Sequence, residues 1–398
     1  MRSTKTALNY AVIYLTYGLC NDKIISVCVG GIVMNQQTSL KSSRFIDIDI
    51  IESVAIFFVV AYHTTVYSFD FLNSGAVVDY LTYFFRTIFS TCVPIFFFAN
   101  GYLLLNKSFD LKKHIKKILR LSVISFIWSV LLMVLYLLIA GESLSLKAIV
   151  VPILNMDTEW RMNFFWYIGA LICIYILFPL LKLAFDKEKK AFYFFTIICA
   201  LLTFGYKFIN EIVLLLSPFT NMFENGIDLP VVTMFNPFRG SYGYSFVYFC
   251  VGGIIGENRD KILSISKKKR NIVSIFGILF SCACLFVIGV LHSRYIKNEV
   301  WDIVWNGYDF IFTFFNVIFI YTLSLNFTKE NRFIKSISIN TLGIYIIHGL
   351  VLRLTAGIFE IDSLCNLPFT LIYALAVLCI CLLISMCMKK IPILKNLV

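Results

Sequence analysis

The sequence predicts an all-α integral membrane protein: a bundle of about ten transmembrane helices, with both termini cytoplasmic. Three observations predict it. The 398 residues are 59% hydrophobic and only 15% charged, with a mean hydropathy of +0.84, whereas soluble domains carry about 25% charged residues. Apolar stretches of roughly 17 to 25 residues recur along the chain, the length that a helix needs to cross a bilayer. Lysine and arginine fall in alternate loops between those stretches, which is the charge asymmetry that sets membrane orientation.

The elements follow in order. Residues 1–43 precede the bundle. Residues 7–20 are apolar but short of a span, and Asn21, Asp22 and Lys23 interrupt them. With Arg2 and Lys5 ahead of it, this run has a weak likeness to a signal peptide. A start at Met34 would instead leave MNQQTSLKSSR as a polar, basic leader. Both readings stay open. The bundle is expected over 44–388, with spans near 50–68, 80–105, 120–140, 163–184, 191–210, 242–257, 271–291, 303–324, 337–358 and 367–388. A short basic cytoplasmic tail, 389–398, ends the chain. The loops after even-numbered spans carry 22 Lys and Arg, against 6 in the others. Two loops on the expected outer side, 141–162 and 210–241, are longer than the rest. Long loops in compact proteins are often functional, and these would cover the outer mouth of the bundle.

Composition also excludes some classes. A net charge of +12 could suit nucleic acid, but its distribution follows membrane topology, so no nucleic-acid partner is expected. Nine of the twelve cysteines lie inside apolar spans, with no CxxC pair and no Cys/His ligand spacing. They read as small apolar residues, and neither a disulfide nor a metal site is expected.

Chemistry concentrates at a few positions. His63 lies within the apolar run VAIFFVVAYHTTVY, which opens just after Asp47, Asp49 and Glu52. His348 repeats the pattern in LGIYIIHGLVL. Ionisable groups inside a span are costly and usually face the protein interior or a water-filled cavity. Histidine titrates near neutrality and can exchange a proton without a metal. Glu52 precedes His63 by eleven residues, which returns to nearly the same helix face about 16 Å away, so both are expected in one cavity. Arg86 and Arg353 also lie within spans, with Glu52 a conceivable partner for either. His114 and His292 read as loop residues outside the chemistry.

Four blocks resemble the membrane-bound acyltransferase 3 family, whose members include polysaccharide O-acetyltransferases. They are IDIDIIESVAIFFVVAYH, VPIFFFANGYLLL at 93–105, FFWYIGALICIYILFPLL at 164–181 with Trp166, Tyr175 and Pro179, and SISINTLGIYIIHGLVL at 336–352. The resemblance implies transfer of an acyl group, usually acetyl, from cytoplasmic acyl-coenzyme A to a hydroxyl of an envelope glycan, by a multi-pass protein of a bacterial inner membrane. It makes His63 the general base or acyl relay, with Asp49 and Glu52 beside it. Lys117 and Arg120 match a paired basic segment and, with Arg86, are candidates for the donor's phosphates. Asn100, Trp166, Tyr345, His348 and Arg353 are substrate-side or structural candidates. Two positions depart from the family pattern. Glu52 stands where a basic residue is usual, and Asn100 replaces a serine but keeps hydrogen-bonding capacity. No permanently bound cofactor is expected. Membrane lipid, acyl-coenzyme A, the glycan and a partner protein of polysaccharide assembly are the expected partners. The alternative reading is a non-enzymatic exporter of a glycan or lipid-linked saccharide.

Overall fold

The computed structural model describes residues 45–64, 70–154, 165–220, 243–356, 367–392 and 394–397. The described residues are helical, with no strand among them. The longer helices are α1 (Ile46–Thr64), α2 (Val77–Leu105), α3 (Leu111–Ala140), α4 (Trp166–Lys187), α5 (Lys189–Thr220), α6 (Gly243–Glu257), α7 (Lys267–Lys297), α8 (Ile311–Ser324), α9 (Arg332–Ile339), α10 (Thr341–Ala356) and α11 (Leu367–Lys390). By length and composition, α2, α3, α4, α5, α7 and α11 can each cross a membrane, and α9 with α10 makes a seventh if that bent pair is one span. The count of ten therefore does not follow from length and composition alone. The other helices fall short for identifiable reasons: α6 has 15 residues, α8 has 14, and α1 opens on three acids.

Local chemistry explains several element boundaries. Asp110 caps α3, its Oδ1 accepting the Lys113 amide at 3.0 Å; that bond holds the exposed Asp110 carboxyl below the usual carboxylate range. Proline cannot donate to the helical ladder, and Pro94 sits in the first turn after a 3₁₀ segment, Thr87–Thr91, inside α2. Asn331 caps α9, accepting the Phe333 and Ile334 amides. The span expected over 337–358 is broken: α9 and α10 meet at 77°. The buried Asn340 occupies the break, donating to the Ser336 carbonyl at 2.7 Å and accepting from Ser385 Oγ at 3.0 Å.

α1 lies at the centre, packed against α2, α8, α9, α10 and α11. Its Ile48, Ile51, Ala55, Ile56, Val59, Val60 and Ala61 are buried. Its acidic start meets complementary groups: Asp47 pairs with Arg259 at 3.1 Å, and Ser338 Oγ lies 2.9 Å from Asp49 Oδ1 and 2.6 Å from Glu52 Oε2. A hydroxyl has one proton to give, so Ser338 serves one carboxylate at a time.

Other boundaries differ from the sequence expectation. The stretch expected as a span from residue 303 is irregular, with a 3₁₀ turn at Trp305–Gly307, until α8 begins at Ile311. α5 runs on to Thr220 through a π turn at Leu201–Gly205, inside the loop expected from 210. The loop expected over 141–162 contains a helix, Leu146–Leu154. Residues 155–164 and 221–242 of these two loops, like the N-terminal 1–43 with its open start at Met34, lie outside the described residues. The C-terminal tail returns to α3: Trp128 Nε1 donates to the Leu397 carbonyl at 2.8 Å, and Arg120 reaches the Asn396 carbonyl at 3.5 Å.

Candidate active site

A cavity of about 380 Å³ opens between α1, α2, α3, α4 and α10. Glu52, Asn100, Lys117, Arg120 and Tyr345 all line it, so the fold brings together five residues from four separate helices. The rest of the wall is aromatic and aliphatic, including Tyr167, Tyr175, Leu121 and Leu342. Such a mix, apolar walls with a few convergent polar groups, is the usual make-up of a small-molecule site. Tyr175 organises the polar side. Its hydroxyl donates to Asn100 Oδ1 at 2.6 Å, and Lys117 Nζ stands 4.4 Å from its ring centroid. Asn100 is held in turn by its amide bond to the Phe96 carbonyl at 2.9 Å.

His63 is not among the residues lining this cavity, so the expectation that it shares one with Glu52 is corrected. The space between is occupied by side chains from α4 and α10. The Tyr167 ring meets Tyr345 edge-on at 5.4 Å, Tyr345 lies 5.8 Å from the His348 ring, and His348 stacks on His63 at 5.0 Å with 14° between planes. Tyr345 is thus both the wall of the cavity and the neighbour of the histidine pair. His348 is buried, and its Nδ1 lies 2.5 Å from the Tyr345 carbonyl. A carbonyl can only accept, so Nδ1 carries a proton; this assignment comes from the hydrogen-bond partner.

The far side of His63 carries a second polar cluster. Tyr62 lies 4.9 Å from the His63 ring and donates its hydroxyl to Asp302 Oδ2 at 2.6 Å. The buried Arg86 pairs with Asp302 Oδ1 at 3.2 Å and stacks over Tyr62 at 5.0 Å. The structure thus gives Arg86 a carboxylate partner in Asp302, away from the cavity with Lys117 and Arg120. Arg353 lies over the Tyr136 ring of α3 at 5.4 Å. Trp166 packs with Trp305 and Tyr308. Asp49 sits one turn before Glu52, buried against Ser338.

Asp302 was not singled out in the sequence, because it borders an apolar run that reads as a span. The signal was present: three polar residues, Asp302, Asn306 and Asp309, crowd WDIVWNGYD. Two expectations for loop histidines are also revised. His114 is buried in the first turns of α3 and donates from Nε2 to the Tyr175 carbonyl at 2.7 Å. His292 is buried at the end of the α-helical part of α7 and pairs with Glu211 of α5 at 2.6 Å.

No curated protein and no solved structure matches the chain. A family model described as an acyltransferase domain matches residues 45–386, which takes in α1, every wall of the cavity and both histidines. The chain is therefore a multi-pass membrane acyltransferase, a member of the acyltransferase 3 family.

Proposed function

We propose that the protein moves an acyl group, acetyl in the simplest case, from acyl-coenzyme A to a hydroxyl of a cell-envelope polysaccharide in a bacterial inner membrane. The observation that carries this reading is the cavity whose mouth holds Lys117 and Arg120 and whose inner wall, Tyr345, adjoins the His63–His348 pair. Cations at the mouth suit the phosphates of the donor, and the apolar wall suits its thioester end. Histidine in the span suits proton exchange at neutral pH without a metal.

In this reading the thioester end of the donor reaches past Tyr345 to His63, which accepts the proton of the acceptor hydroxyl as its oxygen bonds to the thioester carbonyl carbon. The carbon–sulfur bond then breaks, and the departing thiolate takes the proton back from the imidazolium. Proton and leaving group balance, and no further co-reactant is needed. Asn100, held by Tyr175, keeps a polar group on the cavity wall for the donor. Glu52 is the dissonant group, since a carboxylate in the donor's cavity opposes an anion.

The test uses membranes that carry the full chain, labelled acetyl-coenzyme A and the surface polysaccharide from a strain lacking the gene. Wild type transfers label. His63→Ala, at equal membrane abundance, loses transfer by a factor of about 10² or more, the usual worth of a general base. Label transfer retained in His63→Ala would remove His63 from the chemistry. No transfer by wild type, together with loss of the polysaccharide itself from the deletion strain, would favour an exporter.

A further inference from the structure

Asp302 and Trp305 lie in the irregular segment between α7 and α8, with Asp302 one side chain away from His63 through Tyr62, and the reaction as proposed gives them no task. Asp302 is heavily tied yet not saturated. Its Oδ1 accepts Arg86 and the Val304 and Trp305 amides, while Oδ2 accepts the Tyr62 hydroxyl. Its side chain remains 33% exposed. A carboxylate oxygen can accept more than one hydrogen bond, so Oδ2 retains accepting capacity on its open side. Arg86 and the two amides hold the carboxylate in place, and Tyr62 places it one side chain away from His63.

Trp305 supplies the complementary surface. It is 38% exposed and is held by two aromatic neighbours, edge-on to Trp166 at 5.6 Å and against Tyr308 at 6.0 Å. Its backbone amide donates to Asp302 Oδ1 at 3.3 Å, which ties the Trp305 backbone to the carboxylate. A rigid, half-open indole beside a fixed carboxylate is the chemistry that takes a sugar ring: C–H bonds pack on the aromatic face while hydroxyls donate to the charged oxygen. A tryptophan that merely anchors the chain at the bilayer interface has no need of a fixed carboxylate beside it.

We infer that Asp302 and Trp305 form the acceptor subsite, which seats one saccharide unit of the glycan so that a neighbouring hydroxyl meets His63. This rests on the acyltransferase reading proposed above and assigns the binding side of its acceptor. The donor would then approach from the Lys117 and Arg120 side and the acceptor from the Asp302 and Trp305 side, with the histidine pair between them.

The experiment measures steady-state transfer of labelled acetyl groups by the purified full chain, with polysaccharide from the deletion strain as acceptor. Trp305→Ala is expected to raise the acceptor KM by about fivefold to tenfold, the worth of one aromatic contact, with the donor KM within twofold of wild type. Trp305→Phe restores most of the loss. Asp302→Asn, which keeps the shape and loses the charge, raises the acceptor KM in the same direction. An unchanged acceptor KM in Trp305→Ala, in an assay where wild type transfers and His63→Ala does not, overturns the subsite and leaves the acyltransferase reading standing. Equal increases in donor and acceptor KM also overturn it, because a general disturbance of the fold would do that. A wild type that transfers no label overturns the reading and the subsite together.

Discussion

The imidazole of His348 lies nearly parallel to that of His63, with 5.0 Å between ring centroids and 14° between planes. The two come from helices α1 and α10, and the carbonyl of Tyr345 fixes which nitrogen of His348 carries the proton. An imidazole held in this way orients its neighbour by packing against it. His348→Phe keeps an aromatic ring there and removes both nitrogens. The expected outcome is a fall in kcat of about tenfold, less than the roughly 10²-fold or more that the proton-transfer group itself contributes, with donor and acceptor KM unchanged and normal membrane abundance. A wild-type kcat would reduce His348 to a packing residue.

Glu52 and Lys117 line the same cavity with opposite charges. A donor that carries phosphates is attracted by one and opposed by the other. Lys117→Ala is expected to raise the KM for acetyl-coenzyme A, and Glu52→Gln to lower it. Each shift should be about threefold to tenfold, since charge pairs near a protein surface act through an effective dielectric well above that of the dry interior. Both shifts should shrink as salt rises. A Glu52→Gln variant with a raised donor KM would show instead that this carboxylate positions the donor, through its contact with Ser338.

How much of this was legible in the sequence depends on the kind of information needed. Composition and loop charge announced the membrane bundle. His63 stood out as an ionisable group inside an apolar run, and Lys117 and Arg120 as a paired basic segment of the kind the family carries. The cavity itself was not legible, since Glu52, Asn100, Lys117 and Tyr345 meet only through tertiary packing. Helix periodicity predicts Glu52 and His63 on one face of α1, but it could not show that Tyr345 and His348 of α10 stand between the cavity and His63. The break at Asn340 was hidden because Ile337 and Ile339 let this segment read as the start of the apolar run that follows. Asp302 was hidden for the same reason, at the edge of a run whose first residues are not helical.

Helices α2 and α6 approach through glycines. A Cβ added at Gly101 would meet the carbonyl of Phe249, and one at Gly252 would meet the carbonyl of Phe98. Both obstacles are backbone, which cannot turn aside as a side chain can. Small residues at such crossings let membrane helices pack by van der Waals contact, the main attraction available in lipid. Gly101→Ala and Gly252→Ala are each expected to destabilise the protein by ~3 kcal/mol or more through overpacking, seen as a lower thermal midpoint in detergent. Gly169→Ala serves as the control, because a Cβ there meets nothing within 4 Å. It should be neutral or slightly stabilising, as alanine favours a helix over glycine by ~1 kcal/mol.

Glu211 of α5 and His292 of α7 form a buried pair away from the cavity. Nδ1 of His292 donates to Oε1 of Glu211 at 2.6 Å, the side chains are 5% and 3% exposed, and the imidazole stacks on Trp301 at 4.0 Å. Each member satisfies the other where water does not reach, so removing one strands its partner. Glu211→Leu and His292→Phe are each expected to cost ~3–5 kcal/mol, the usual penalty for breaking a buried pair. Combining them leaves no stranded polar group, so the double variant should be no less stable than either single, and the double-mutant cycle should give a coupling of ~3 kcal/mol or more, at the upper end for contacting residues. Thermal unfolding in one fixed detergent measures all four proteins. The pair is structural if transfer per folded molecule stays at the wild-type rate in the double variant. A double variant that is as unstable as the sum of the singles would mean that the two residues act independently, against the geometry of the pair.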